Sequence, residues 1–266
     1  MARSASSRTG RPAPTVATTA FLASVAVLAA AAVLAGCSTT QQTAARLQLN
    51  AARIRASEQP TEVKAPGHAV DVTRVARIVT GGRTAFIVQV RNSARQPMSD
   101  LPISVGVRVR GKRPIYLNRQ SEAELSYFEA HLPLVAAGGT LTWVYTTDRR
   151  LPAHARPFAV VGGTPSNHAP RSNRLPVIRA SAVAPTTATS AAGASPLAVS
   201  LHNLSSVPQY QLQVYAVAER AGRYVAAGSF TVPHLGSNAS SRLKLPILGH
   251  INHARLQIEA APTIFQ

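Results

Sequence analysis

From residue 69 onward, apolar residues recur at every second position in short bursts. The clearest burst is Leu101, Ile103, Val105, Val107 and Val109, with Ser104, Arg108 and Arg110 on the alternate face. Side chains of a strand point to opposite faces in turn, so a period of two predicts a strand with one buried face. Ala69–Val79 carries Val70, Val72, Val75 and Ile78, with a shift of phase midway. Phe86, Val88 and Val90 alternate with Ile87 and Gln89, which predicts another strand with one buried face. Gly81-Gly82, Gly111-Lys112 and Gly138-Gly139 supply turns. Ile115–Leu117, Leu125–Leu132, Thr140–Thr146 and Phe158–Val161 complete the strands predicted for the first half.

The second half repeats this plan. The run Phe86 to Asn92 matches Leu197 to Asn203, and the same shift of 111 residues carries Pro97 to Pro208, Leu101 to Leu212, Ile103 to Val214 and Gly111 to Gly222. Leu212, Val214, Ala216 and Ala218 alternate again. Phe230, Val232 and Leu235 align loosely with Phe128, Leu132 and Leu134, and Leu243, Leu245, Leu256 and Ile258 belong to the last strands. A repeat of this length is a whole domain used twice and not a solenoid unit. Gly162–Asn173 lacks apolar periodicity and reads as the boundary. Ala184–Ser195 is rich in Ala, Thr, Ser and Gly and reads as a long flexible loop. Val88, Leu101, Ile103, Val105, Val199, Leu212 and Val214 are the predicted core.

The first 64 residues follow other rules. Arg3, Arg8 and Arg11 give a basic start, and residues 20–35 are uncharged and mostly Ala, Val and Leu. That is the form of an export signal, and it is short for a membrane span, which takes roughly 20 apolar residues. The run ends in Leu34-Ala35-Gly36-Cys37. Small residues at 35 and 36 let a peptidase approach the backbone, and the Cys37 thiol is a nucleophile. The chain has a single cysteine, so no disulfide forms within it, and lipidation accounts for a lone thiol in an exported protein. Residues 38–59 carry Ala44, Leu47, Ala51 and Ile54 at helical spacing, with Arg46, Arg53 and Arg55 around the other sides and Pro60 as a stop. This predicts a short tether helix, read as a plain spacer before a basic amphipathic stretch resting on a membrane.

Charge adds one question. The chain carries a net charge of +18, which becomes +15 without Arg3, Arg8 and Arg11. Arg74, Arg77, Arg83, Arg91, Arg95, Arg108, Arg110 and Arg113 are scattered among apolar residues, not gathered in a block. Such a field steers anionic partners, here anionic lipid or wall polymers. A solvated surface of Arg-rich composition looks the same, and both readings stand. Nucleic acid is not an expected partner of an exported chain.

Candidate chemistry is sparse. His250 and His253 are three apart, but Gly249 and Asn252 mark a loop with no Cys or carboxylate near, so no metal is expected. His131, His154, His168, His202 and His234 read as surface or strand-end positions. No Gly-x-Ser-x-Gly elbow occurs, and no glycine pair is followed by the Lys of a phosphate loop. Asp71, Asp100 and Asp148 are far apart, and Glu122 and Glu124 read as solvating a loop. Trp143 and Tyr145 share a strand face and read as core before interface anchors.

Together these readings predict an all-β chain: two tandem immunoglobulin-like antiparallel β-sandwiches after a signal helix and a short tether helix. The boundaries are 1–36 for the signal peptide, 37–64 for the tether, 65–163 for the first sandwich, 164–173 for the linker and 174–266 for the second sandwich. Leu34, Ala35, Gly36 and Cys37 resemble the bacterial lipobox, with Cys37 as the lipidated residue. Residues 65–266 resemble small exported sandwiches of the FxLYD or adhesion-like type, on a strand ending in Asn92 or Asn203, a Pro-containing turn and a long alternating strand. The resemblance implies a cell-membrane lipoprotein facing outside the cytoplasm, anchored through lipid on Cys37. No enzyme activity and no cofactor are expected. The expected role is a binding or scaffold module for envelope proteins; the alternative is an accessory or ligand-binding subunit of a transporter or envelope enzyme, with a cleft between the domains.

Overall fold

The computed structural model describes residues 43–45, 47–51, 63, 65–67, 69–118, 125–162, 175–183 and 194–264. The chain from Ala44 to Gln266 holds together as one compact unit. Its first half carries β1 (Val70–Thr80), β2 (Arg83–Asn92), β3 (Met98–Arg108), β4 (Ile115–Tyr116), β5 (His131–Val135), β6 (Thr140–Thr147) and β7 (Arg156–Val161). Its second half carries β8 (Ile178–Ala182), β9 (Ala194–Asn203), β10 (Gln209–Arg220), β11 (Arg223–Leu235), β12 (Ser240–Gly249) and β13 (Arg255–Ala261). The described residues are all-β apart from a 3-10 turn at Tyr127–Glu129 and the helical residues 43–45 and 47–51.

In the first half, a sheet of order β1-β2-β6 faces a sheet built on β3, which pairs with β4, β5 and β7. All pairs are antiparallel. The phase change in β1 is a bulge: the register slips between Val72 and Arg74, as happens where an extra residue enters one strand of a pair. In the second half, one sheet runs β13-β10-β11-β12-β9-β8. β11 and β12 pair only at Ala226 with Gly249 and Ala227 with Leu248. The sheet turns a corner there, and the cluster of Leu197, Val199, Leu201, Leu212, Val214 and Leu245 fills the space between its two arms. Gly228 sits at the corner, where a Cβ would lie against the Pro246 carbonyl. No strand pair crosses from one half to the other among the described residues.

The repeat extends to the register. Met98 pairs with Val135 and Leu101 with Leu132, while Gln209 pairs with Leu235 and Leu212 with Val232. Ile103 faces Val161 as Val214 faces Ala260. Gly106 faces Tyr116 as Val217 faces Ala227. The single strand β11 therefore does the work of β4 and β5 together, and the first half carries eleven extra residues between its two pieces. Asp100 and Gln211 occupy the same place in the repeat, and both have positive φ, 57° and 53°.

Asn92 and Asn203 are both fully buried and make the same bonds. Asn92 Nδ2 donates to the carbonyls of Gln96 (2.8 Å) and Val135 (3.1 Å), and its Oδ1 accepts from the Ala94 N–H. Asn203 Nδ2 donates to Val207 and Gly236, both at 2.9 Å, and its Oδ1 accepts from the Ser205 N–H. One amide thus closes its own turn and ties that turn to the end of β5 in the first half or of β11 in the second. Asn92→Ala and Asn203→Ala each strand two carbonyls and one N–H, and each is expected to lower stability by about 1–3 kcal/mol, measured by denaturant unfolding.

All seven predicted core residues are buried. Four expectations are corrected. β2 has two buried faces, because Ile87 is as buried as Val88; its second face packs under the second half. Residues 125–132 are not one strand, since the 3-10 turn interrupts them before β5. The partner of Leu235 in the repeat is Val135, one residue beyond Leu134, and Phe128 lies in the extra segment. In the helical stretch Leu49 is buried while Ala44, Leu47 and Ala51 are exposed, so helical spacing picked the wrong side. Leu34–Cys37, Arg53–Arg55, Glu122, Glu124 and residues 164–173 lie outside the described residues.

Candidate functional site

Two clusters of chemistry-bearing side chains stand out, one in the extra segment and one where the halves meet. The extra segment starts at Asn118, which is 1% exposed and sits beside β3 in the gap between β4 and β5. Its Oδ1 accepts from the Val105 N–H (2.8 Å) and its Nδ2 donates to the Ile103 carbonyl (2.7 Å) and the Glu129 carbonyl (3.1 Å). The amide replaces the stretch of strand that β11 supplies in the second half. Glu129 closes the 3-10 turn by accepting from the Ser126 N–H at 2.8 Å. Burial raises its carboxyl above the usual range, against the opposing pull of that bond.

Trp143 and Tyr145 reach this segment through the core. Trp143 Nε1 donates to the Phe128 carbonyl and the Tyr145 hydroxyl to the Leu117 carbonyl, both at 3.0 Å. The two rings stack with centroids 6.0 Å apart. Both side chains are buried, as their shared face predicts for core.

The outer rim of the segment brings Asp100, Tyr127 and His131 together. Tyr127 donates its hydroxyl proton to Asp100 Oδ1, and its ring lies parallel to the His131 imidazole, with centroids 4.5 Å apart. His131 opens β5, a strand end as expected, and is buried there. Burial lowers its pKa, opposed by the Asp100 charge and the Tyr127 carbonyl. A desolvated imidazole stays neutral near pH 7, stacked and held, which suits a structural clip. The sequence signal for this cluster is faint, since Asp100 and His131 are far apart and no motif joins them.

The remaining described histidines do not converge with acids or cysteine: no group of three or more His, Cys, Asp or Glu that could hold a metal occurs among the described residues. His250 and His253 are exposed loop residues, with φ of 55° at His253. Among the described residues, no helix is long and apolar enough to cross a membrane.

No family model matches the chain, and no curated protein matches it in sequence. Among solved structures it is similar to an exo-chitosanase from Amycolatopsis orientalis, at 13% identity and a TM-score of 0.25, over 72% of this chain and 26% of that one. It is also similar to a red sea bream transglutaminase, at 13% identity and a TM-score of 0.21, over 72% of this chain and 29% of that one. The match thus spans less than a third of either structure's length.

The second cluster lies at the junction of the halves. The sheet β1-β2-β6 turns its outer face to the arm β13-β10-β11. Tyr215, Val217, Ala227, Leu248 and Ala261 join the apolar cluster of the first half. Arg74 pairs with Glu219 at 3.1 Å, donates to the Gly222 carbonyl at 2.5 Å, and lies 4.1 Å from the centroid of the Tyr224 ring. β6 is the edge strand of its sheet, and its Thr142 N–H donates to Glu259 Oε2 at 3.0 Å. The buried Tyr215 hydroxyl meets no hydrogen-bond partner among the described residues. A shallow recess beside this contact is lined by Arg83, Thr146, Ser229, Pro246, Ile247 and Leu248, with room for about one water molecule.

Burial raises the Glu259 carboxyl above the usual range, and the Thr142 bond opposes the shift. A raised carboxyl stabilises the fold when protonated. That contribution is fully present below the unfolded pKa and is lost as pH rises through the folded one. Glu259→Gln keeps an acceptor for Thr142 and removes the titration. The wild type is expected to lose stability relative to Glu259→Gln over that rise, measured as unfolding midpoints from acid to neutral pH. Parallel profiles for the two proteins would refute the assignment.

Proposed function

We propose that the chain is a non-enzymatic envelope lipoprotein, held on the outer side of a cell membrane by lipid on Cys37, whose β-body is a binding or scaffold module for other envelope components. We read its halves as tandem immunoglobulin-like sandwiches produced by duplication, a reading supported by the shared registers and by the matching Asn92 and Asn203. The observation that carries the functional reading is the use made of the carboxylates. Asp100 holds Tyr127, Glu129 holds its own turn, Glu219 holds Arg74 and Glu259 holds Thr142. Four of the six described carboxylates are thus engaged in keeping the body together, and the other two, Asp71 and Asp148, are exposed and far apart in the sequence. The apolar junction also argues against a ligand subunit with a cleft between the halves, because Tyr215 and Val217 occupy that space.

Cys37→Ser tests the anchor. The variant is expected to accumulate as an unprocessed precursor that takes up no labelled fatty acid in cells; normal labelling would end the lipoprotein reading. Cross-linking in the same cells, with identification of the captured molecules, tests the scaffold role, and capture of envelope proteins by the wild type but not by the mislocalised variant is the expected result.

A further inference from the structure

The outward face of β8, β9 and β12 is a basic surface of the second half. Register places its outward side chains in rows. Arg179 lies beside His202 and Ser240, Ser181 beside Ser200 and Arg242, and Ala198 beside Lys244. The opposite face of these strands packs Leu197, Val199, Leu201 and Leu245 into the core. Arg179, His202, Arg242 and Lys244 are all exposed. The three strands contain no acid. The acids of the second half, Glu219 and Glu259, lie on the other arm and are engaged with Arg74 and Thr142 of the first half. Both acids of the second half thus turn to the junction, and the β8-β9-β12 face carries cations alone, while Arg220, Arg223 and Arg255 lie on the other arm.

The rim of this face decides between anionic partners. Between the cations the side chains are small: Ser181, Ser200, Ala198 and Ser240. The ends of the face carry exposed apolar residues. Val177 and Leu204 are 55% and 38% exposed and joined by a backbone bond, and Val183 is 36% exposed at the other end. A dissolved polyanion gains little from exposed Val and Leu. A bilayer offers phosphate to the cations and an acyl boundary to the apolar rim.

We propose that the β8-β9-β12 face docks on an anionic lipid surface through Arg179, Arg242 and Lys244. This deepens the membrane-anchored reading and rests on it: the anchor holds the chain near a bilayer, and the face lays the body down on it. Docking weakens with salt, because the attraction acts within a Debye length of the surface.

The sequence supplies a probe. Its lysines are Lys64, Lys112 and Lys244; Lys244 lies on the face, and Lys112 is exposed at the β3–β4 turn of the other half. The full-length protein is incorporated into vesicles of phosphatidylcholine, with or without phosphatidylglycerol. Acylation of each lysine by a water-soluble reagent is then followed by mass spectrometry. Lys244 is expected to react several-fold more slowly on anionic vesicles, with Lys112 unchanged and the difference abolished by high salt. In an Arg179→Gln/Arg242→Gln variant the ratio of docked to free body should fall about fivefold per cation removed. Equal Lys244 rates on both vesicles, or protection that survives the double substitution, would overturn the proposal. Protection by soluble polyphosphate but not by vesicles would overturn it in favour of a polymer. Flotation separates the two readings. A chain that floats with neutral vesicles but shows no Lys244 protection keeps the anchor and loses the face. One that floats with anionic vesicles alone keeps the face and loses the anchor.

Discussion

Replacing Trp143 with alanine is expected to lower stability by about 3–5 kcal/mol, the range for emptying a buried tryptophan site. Trp143 is fully buried and heads the largest enclosed side chains of the body. It stands on β6 opposite Val88, and its indole crosses the core to hold the Phe128 carbonyl. The substitution therefore removes apolar volume and leaves a buried carbonyl unpaired, and the two losses compound. Trp143→Phe separates them: it keeps most of the volume and forfeits the bond, so it should cost about 1–3 kcal/mol. Urea unfolding followed by circular dichroism measures both, with a lower midpoint and an unchanged slope. A Trp143→Ala loss below about 1 kcal/mol, the size of an ordinary substitution, would mean that the indole does not fill the core.

Leu101→Ala and Leu212→Ala are expected to cost about 2–5 kcal/mol each, as large-to-small changes in closed cores do. The two leucines hold the same place in the repeat and are 1% and 0% exposed. They differ in surroundings: Leu101 belongs to the cluster that takes in Tyr215 and Val217, and Leu212 to the smaller cluster between the arms of the second half. Because the junction buries apolar residues from both halves, both variants should lower the midpoint of one transition. Calorimetry checks this. Two separate peaks, with Leu101→Ala moving one and Leu212→Ala the other, would show that the junction does not couple the halves.

Most of the strands were legible because each alternates around a half-buried sheet and ends on a Gly or Asn turn. The role of Asn92 and Asn203 was legible too, since an Asn before a Pro-containing turn has its own backbone to bond. The second buried face of β2 was not. Alternation reports the face with the larger apolar residues, and Ile87 between Phe86 and Val88 was read as the solvent side. β10 gave the better signal: Val214-Tyr215-Ala216-Val217-Ala218 is a continuous apolar run, the mark of a strand covered on both sides. The 3-10 turn was hidden because Leu125, Phe128 and Leu132 are apolar at spacings that fit strand or turn. Glu259 and Thr142 could not be paired from sequence, because their meeting depends on how two sheets stack and no local pattern encodes it. The burial of His131 at the start of β5 is hidden for the same reason, as it comes from the extra segment packing beside that strand.

The bond from Thr142 to Glu259 also bears on how the chain can change over evolutionary time. An edge strand whose N–H is taken by a carboxylate of the other half ties the fates of the two repeats at that surface. Among relatives of this chain, Ile87, Thr142, Tyr215, Val217 and Glu259 should therefore vary in concert, a bulkier residue on one side matched by a smaller one opposite. The sheets on the two far sides carry no such obligation. They are where the repeats can diverge, one by lengthening the segment between β4 and β5, the other by rearranging the cations of β8 and β12.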